Sequence, residues 1–239
     1  MNLLLFREDE WKSPLSHDDP RVIHIHTILK SAEGDVLDAG IIGGMLGRAR
    51  ILEIDERGNC RFDFIPDRES HPPAPLTLII GTPRPPTAKR LLRDLSAAGA
   101  GRIIFTGTDL GEKSYLTSRL WSREEWKEAV ETGMAQGEST RPPVIEKFYS
   151  LYKSIDQLSG EEDLLALDNV NPDFPLKEYC PGKNSCCLAL GPERGWSDRE
   201  REILRDRGFR ICSLGDRVLR TETAAHMGSA LVLAALGYI

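Results

Sequence analysis

The segment His71-Pro72-Pro73-Ala74-Pro75 does most to limit what this chain can become. Three prolines in five residues remove three backbone donors and fix φ, so neither a helix nor a central strand is expected to run through it. The apolar pattern differs on its two sides. Before it, short apolar runs broken by glycine (VLDAGIIGG, GRARILEI, CRFDFI) read as strands of a small β-rich domain, with one helix near Val22–Lys30. After it, apolar runs alternate with helix-length segments. LTLII precedes PPTAKRLLRDLSAAGA, whose Leu91, Leu92 and Leu95 fall at helical spacing. RIIF precedes SREEWKEAVETGMAQG, which opens with Ser122 and Glu125 in capping-box spacing. VIEKFYS, LLALD, CCLALG and FRICSL supply further strands. This alternation predicts an α/β domain with a mostly parallel sheet covered on both faces, binding ligands outside the carboxyl ends of its strands. The boundaries are residues 1–70 for the β-rich domain and 76–239 for the α/β domain.

Charge and cysteine content narrow the setting. The net charge is −6, and the acidity is uneven. Residues 1–75 hold nine Lys/Arg against fourteen Asp/Glu, leaving 22 against 23 for the remainder. No overall basic character announces a nucleic acid, although a local basic surface is compatible with these totals. The N-terminal MNLLLFREDEW has too short an apolar run, with acidic residues after it, for a signal peptide or a membrane span. Met227 to Ile239 is also too short to span and reads as a buried helix. Cys60, Cys180, Cys186, Cys187 and Cys212 form no CxxC pair, and their odd number suits a reduced, cytoplasmic setting. His24 and His26 have no further ligands at metal-binding spacing. Trp121 and Trp126 flank a helix start and read as packing residues.

Two glycine turns carry the chemistry. In LALGPERGWSDRERE, residues 188–202, Gly191 and Gly195 free the backbone, Pro192 stiffens it, and Ser197 with Glu200 forms a capping box for the next helix. A phosphate-binding P-loop is excluded, because Trp196 stands where lysine is required, and there is no GxGxxG pattern. In SLGDRVLRTETAA, residues 213–225, Gly215 ends a strand and Thr221 or Thr223 is placed to cap the final helix. Arg217, Arg220 and Glu222 either form a solvated charge cluster or overhang a pocket. Spacing alone leaves both turns open to a purely structural role.

The two turns together resemble a known pair of motifs. GPERGWSDRE is similar to GPEGG-F-S-x-x-E, and LGDRVLRTETAA to LG-x-R-[IV]-L-R-x-ETA, in the same order and at the same distance. The pair resembles the RsmE family of SPOUT-superfamily RNA methyltransferases, most closely over residues 163–239. IHTILK followed by GDVL, and AQGESTRPPVI, extend the resemblance through the chain. The resemblance implies a small PUA-like β-barrel followed by a SPOUT α/β domain with a deep C-terminal trefoil knot. It implies S-adenosylmethionine as cofactor and N3 of a uridine in 16S ribosomal RNA as acceptor. Ribosomal RNA or the small subunit is the implied partner, within a homodimer, with neither metal nor membrane. For the cofactor the matching positions are Leu167, Gly191, Pro192, Glu193 and Gly195, then Leu214, Gly215, Leu219, Thr223 and Ala224. Arg220 and Glu222 are the implied catalytic residues, assisted by Arg217, and Arg84, Lys89 and Arg141 the implied RNA contacts.

Three departures from the family pattern stand out. Ala97-Ala98 replaces a Glu-Leu pair, Ser139 replaces an arginine of the Q-S-G-R-x-R pattern while Glu138 adds a negative charge, and Arg194 replaces a glycine. The first two fall in regions expected to face RNA. They motivate an alternative in which the fold keeps its cofactor pocket but serves as a non-catalytic or differently targeted RNA- or ribosome-binding protein. Arg194 reads as an exposed turn residue or as a phosphate contact.

Overall fold

The computed structural model describes residues 2–239, which form two compact units. The first comprises the chain up to Pro72 together with Ser96–Gly99 and Val130–Pro142. Its sheet has the order β1 (Leu4–Phe6), β2 (Val36–Ile41), β3 (Leu46–Ile54), β4 (Cys60–Arg68). β1 runs parallel to β2, and the other pairs are antiparallel. In β4 the alternation is plain: Cys60, Phe62 and Phe64 point inward, and Arg61 and Asp63 outward. Phe6 meets Phe62 and Phe64 edge-on, with centroids 5.6 and 5.9 Å apart. Helix α1 (Pro20–His24) continues into a wider π-type turn, Ile25–Leu29, so the helical segment begins two residues before the expected Val22. Asp19 caps it by accepting from the Arg21 N–H, and Pro20 occupies the first turn, where no donor is needed.

The unit is not contiguous: two later segments return to it, and Val130–Pro142 is hydrogen-bonded into it. Leu3 donates its N–H to Ala135 O, and the Thr140 hydroxyl donates to Gly44 O at 2.6 Å. A Cβ on Gly137 would lie 2.5 Å from Ala97 O, so the small residues Ala97 and Gly137 permit a close backbone approach.

The second unit holds the remaining strands, β5 (Ala74–Gly81), β6 (Ala100–Thr106), β7 (Val144–Phe148), β8 (Asp163–Leu167), β9 (Phe174–Pro175), β10 (Cys186–Leu190) and β11 (Arg210–Ser213). Its helices include α2 (Pro85–Ala97), α3 (Arg119–Ser122), α4 (Glu125–Gln136), α5 (Leu151–Ile155), α6 (Asp198–Asp206) and α7 (Thr221–Ala235), although the last two residues of α2, and α4 from Val130 onward, belong to the first unit. The sheet order is β7-β6-β5-β10-β8-β11-β9, and every pairing is parallel. The expected α/β class with a mostly parallel sheet is therefore what forms. β10 is inserted beside β5, so strand order reverses at the centre of the sheet. That is where open parallel sheets gather their binding loops.

Three local expectations are corrected. β5 begins at Ala74, so Pro75 lies within a strand. It sits where the ladder with β6 slips between Ala74 and Thr77, and its missing N–H is tolerated at a strand's first residues. Ser122 closes α3 rather than opening the next helix. Glu124, at φ 55°, turns the chain before α4, so Ser122 and Glu125 do not form a capping box. α7 starts at Thr221 with Arg220 as N-cap and no side-chain cap, so neither Thr221 nor Thr223 performs that role.

Candidate active site

A cavity of about 300 Å³ opens beyond the carboxyl ends of β8, β10 and β11. Three loops and the first turn of α7 wall it. The loop after β8 contributes Leu167 to Val170, the loop after β10 contributes Leu190 to Trp196, and the loop after β11 contributes Leu214, Gly215 and Arg217 to Leu219. Thr221 and Ala224 complete the wall, and Arg201 reaches in from α6.

Backbone conformation at two positions and close approach at two others explain the glycines here. Gly195 and Gly215 hold φ of 72° and 98°, a region L side chains resist. A Cβ on Gly191 would lie 2.9–3.1 Å from the backbone of Gly195 and Trp196. Beneath the same loop, a Cβ on Gly81 would stand 2.5 Å from both N and Cδ of Pro192. The end of β5 thus supports the GPERG turn by direct contact.

Hydrogen bonds hold the loops after β8 and β10 in place. Buried Trp196 donates its indole N–H to Leu167 O at 3.2 Å. Asp168, whose side chain is 5% exposed, accepts from the Asn169 and Val170 N–H groups and from Arg201 Nε at 2.7 Å. The expected capping box of α6 is present in both directions: Ser197 accepts from the Glu200 N–H, and Glu200 accepts from the Ser197 N–H. Glu200, 1% exposed, also accepts from the Asp109 N–H in the loop after β6. Ser197 donates its hydroxyl to Asp109, and Arg199 pairs with the same carboxylate. These bonds, Arg199 first, hold the Asp109 carboxyl below its usual range.

Nine of the ten residues matched to a cofactor line this cavity; Thr223 does not, and its side chain is exposed on α7. Of the three residues matched to catalysis, Arg217 lines the wall. Arg220 and Glu222 sit beside it at the start of α7, where Glu222 accepts from Arg90 Nη2 at 3.3 Å. The three RNA-matched cations are all engaged. Arg84 lies 3.9 Å from Glu193, Lys89 pairs with Glu128 at 3.0 Å, and Arg141 donates to Gly43 O at 2.8 Å. Arg194 lines the cavity mouth, is exposed, and has no ion pair among the described residues. Sequence reasoning missed Asp168, Arg201, Trp196 and Gly81. Their partners lie 29 to more than 100 residues away, and no local spacing signals such contacts.

The cysteines take no part. Cys186, Cys187 and Cys212 are buried, and burial pushes the thiols of Cys186 and Cys212 up to about 12. Among the described residues no group of His, Cys, Asp and Glu is arranged to hold a metal. No described helix is long and apolar enough to cross a membrane.

A cavity built from close-packed backbone at a strand-order reversal defines a small-molecule site on an α/β fold, and comparison with known proteins gives its class. Residues 70–233 match the RNA methyltransferase domain family. Over 98% of its length the chain is 37% identical to ribosomal RNA small subunit methyltransferase E of Treponema pallidum, covering 91% of that protein. It is 30% identical to ribosomal RNA small subunit methyltransferase E 1 of Borreliella burgdorferi, over 99% of both chains. The chain belongs to the ribosomal RNA small subunit methyltransferase E (RsmE) family. The crystal structure of the Neisseria gonorrhoeae ribosomal RNA small subunit methyltransferase E, bound to S-adenosyl methionine, has the same fold, with a TM-score of 0.75 at 20% identity over 97% of this chain and 95% of that one.

Proposed function

We propose that this protein transfers a methyl group from S-adenosylmethionine to N3 of a uridine in 16S ribosomal RNA. The observation that carries this reading is the 300 Å³ cavity, walled by the same loops that bear the two family motifs. A purely binding role is not favoured, because the relatives similar over nearly the whole chain are named ribosomal RNA methyltransferases.

The residues present fit the cofactor. The volume lies at the lower end of the range for small-ligand sites. Leu167, Leu190, Leu214 and Leu219 offer apolar contact, and the exposed edges of the glycine turns offer backbone donors and acceptors. S-adenosylmethionine carries its methyl group on a sulfonium and so brings its own electrophile. The protein's share of the work is to orient the acceptor and to manage the N3 proton. Arg220 and Arg217 stabilise negative charge developing on the uracil oxygens. Arg90 holds Glu222 through Oε1, which leaves Oε2 to accept the N3 proton. Arg194, exposed and without an ion pair among the described residues, serves as a phosphate contact.

Further parts of the reading follow from family membership. The first unit corresponds to a PUA-like barrel that supplies RNA surface. The second corresponds to a SPOUT domain whose C-terminal segment is threaded as a trefoil knot, an exception to the rule that chains do not thread loops. The working form is a cytoplasmic homodimer. The deciding experiment maps methylated nucleosides by mass spectrometry in small-subunit RNA from cells with and without this protein. Loss of 3-methyluridine on deletion, restored by the purified protein, is the expected result; an unchanged profile refutes the reading.

A further inference from the structure

A second cavity, about 740 Å³, opens at the carboxyl ends of β5, β6 and β7. It shares no lining residue with the first. Thr82, Thr106 and Thr108 follow the strand ends. The Thr82 hydroxyl donates to Thr106 O, and the Thr106 hydroxyl to Gly107 O. The Thr108 hydroxyl is buried in the wall with no hydrogen-bond partner among the described residues. A buried hydroxyl without a partner is costly until a donor or acceptor meets it.

Two tyrosines border the same space. Arg207 stacks over the Tyr152 ring, 4.2 Å from its centroid. Tyr149 is 72% exposed, and its ring has no aromatic or cationic partner among the described residues. The charges around the cavity are mostly committed. Asp109 is bound to Arg199 and Ser197, and buried Glu200 accepts two backbone N–H groups. Exposed Glu112 accepts from the Ser114 N–H. Lys113 is exposed on the rim with no ion pair among the described residues.

An open aromatic face and, among the described residues, a rim lysine without an ion pair are elements of single-stranded nucleotide recognition: stacking and a phosphate contact. We infer that the second cavity receives an unpaired nucleotide of the RNA substrate that neighbours the methylated one, with its base stacked on Tyr149 and its phosphate near Lys113. This rests on the RNA reading above. The nucleotide is a neighbour and not the acceptor itself, because the methyl donor belongs to a cavity with wholly different walls. Helix α6 borders both sites, with Arg199, Glu200 and Ile203 lining the second and Arg201 the first.

The test uses the full-length protein and small subunits purified from a strain lacking it. Tyr149→Ala is expected to raise KM for the subunit roughly 5- to 150-fold, the range for losing one stacked base. The kcat and the affinity for S-adenosylmethionine should stay within about twofold. Tyr149→Phe, which keeps the ring, should retain the wild-type KM. An unchanged KM for Tyr149→Ala overturns the inference, as does an equal loss in Tyr149→Phe. So does loss of S-adenosylmethionine binding in Tyr149→Ala, which would make the residue structural. Wild-type protein that methylates no subunit overturns the RNA reading and this inference together; wild-type activity with an insensitive Tyr149→Ala overturns this one alone.

Discussion

The ion pair between Asp168 and Arg201 offers the most direct test of how the first cavity is held. Their side chains are 5% and 15% exposed, and Asp168 Oδ2 accepts from Arg201 Nε at 2.7 Å. Asp168→Ala removes this charge-assisted bond, worth about 1.5–3 kcal/mol. It also removes the acceptor for the Asn169 and Val170 N–H groups, but both residues are exposed and rehydrate at little cost. Arg201 loses its buried partner and, among the described residues, keeps Asp198 alone, which is almost wholly exposed. Stranding one member of a buried pair costs about 3–5 kcal/mol. The surviving Asp198 contact lowers the expected loss to about 2–4 kcal/mol. At roughly 2–4 °C per kcal/mol for a chain of this size, the melting temperature should fall by about 4–16 °C.

The same change loosens the 168–170 wall. If about 1.4 kcal/mol of re-ordering falls on the ligand, S-adenosylmethionine binds about tenfold more weakly. Calorimetry on wild type, Asp168→Ala, Arg201→Met and the double variant checks both effects. The double variant should cost less than the sum of the single ones, with a coupling of about 0.5–3 kcal/mol. A loss below about 0.5 kcal/mol for Asp168→Ala with unchanged affinity refutes this account, and so does strict additivity.

Three further outcomes are expected. Gly81→Ala places a Cβ against the unyielding backbone of Pro192, and overpacking of this kind costs about 1–3 kcal/mol; titration should show weaker S-adenosylmethionine binding although Gly81 does not line the cavity. Arg220→Ala and Glu222→Gln should each lower kcat by about 10²-fold or more with cofactor affinity intact, and undiminished single-turnover methylation would remove them from the mechanism. In the first unit, hydrogen bonds from Arg21 hold the Glu10 carboxyl low; burial pushes Asp19 up, but its bonds to Arg21 outweigh this and leave it lowered. A lowered folded-state pKa adds stability that is complete above the unfolded carboxylate range, near 4, and is lost as pH falls through the folded values. Urea midpoints from pH 6 down to 2.5 should therefore drop more steeply in wild type than in Arg21→Gln; parallel profiles would show that the cluster carries no such linkage.

What the sequence made legible is what short-range chemistry encodes. Ser197 and Glu200 announce the start of α6 because a capping box is complete within four residues. The alternation of LTLII, RIIF, LLALD and CCLALG with helical segments announces a parallel sheet because period and length differ between the two element types. At Ser122 a single backbone angle overruled these signals. The positive φ of Glu124 splits the expected helix and separates Ser122 from Glu125. Arg220, with no side-chain cap, opens α7. The second unit's strand order was out of reach, since inserting β10 between β5 and β8 depends on a pairing with β5 more than a hundred residues away.

The capping box also shows how a local motif comes to serve distant sites. Were Glu200 only a cap, one carboxylate oxygen facing the Ser197 N–H would suffice, and the residue could remain exposed. It is instead buried, and its second oxygen accepts from Asp109, 91 residues earlier. Asp109 in turn receives the Ser197 hydroxyl and Arg199. The start of α6 is thereby fastened to the loop after β6, at the edge of the second cavity. One residue further on, Arg201 fastens the same helix to Asp168 at the edge of the first. α6 follows directly from the GPERG turn, so a shift of either loop must be transmitted through a short helix bonded at two points. A helix pinned in this way fixes the distance between the two cavities. A methyl donor in one and a nucleotide in the other require that fixed distance if the intervening base is to be presented in line.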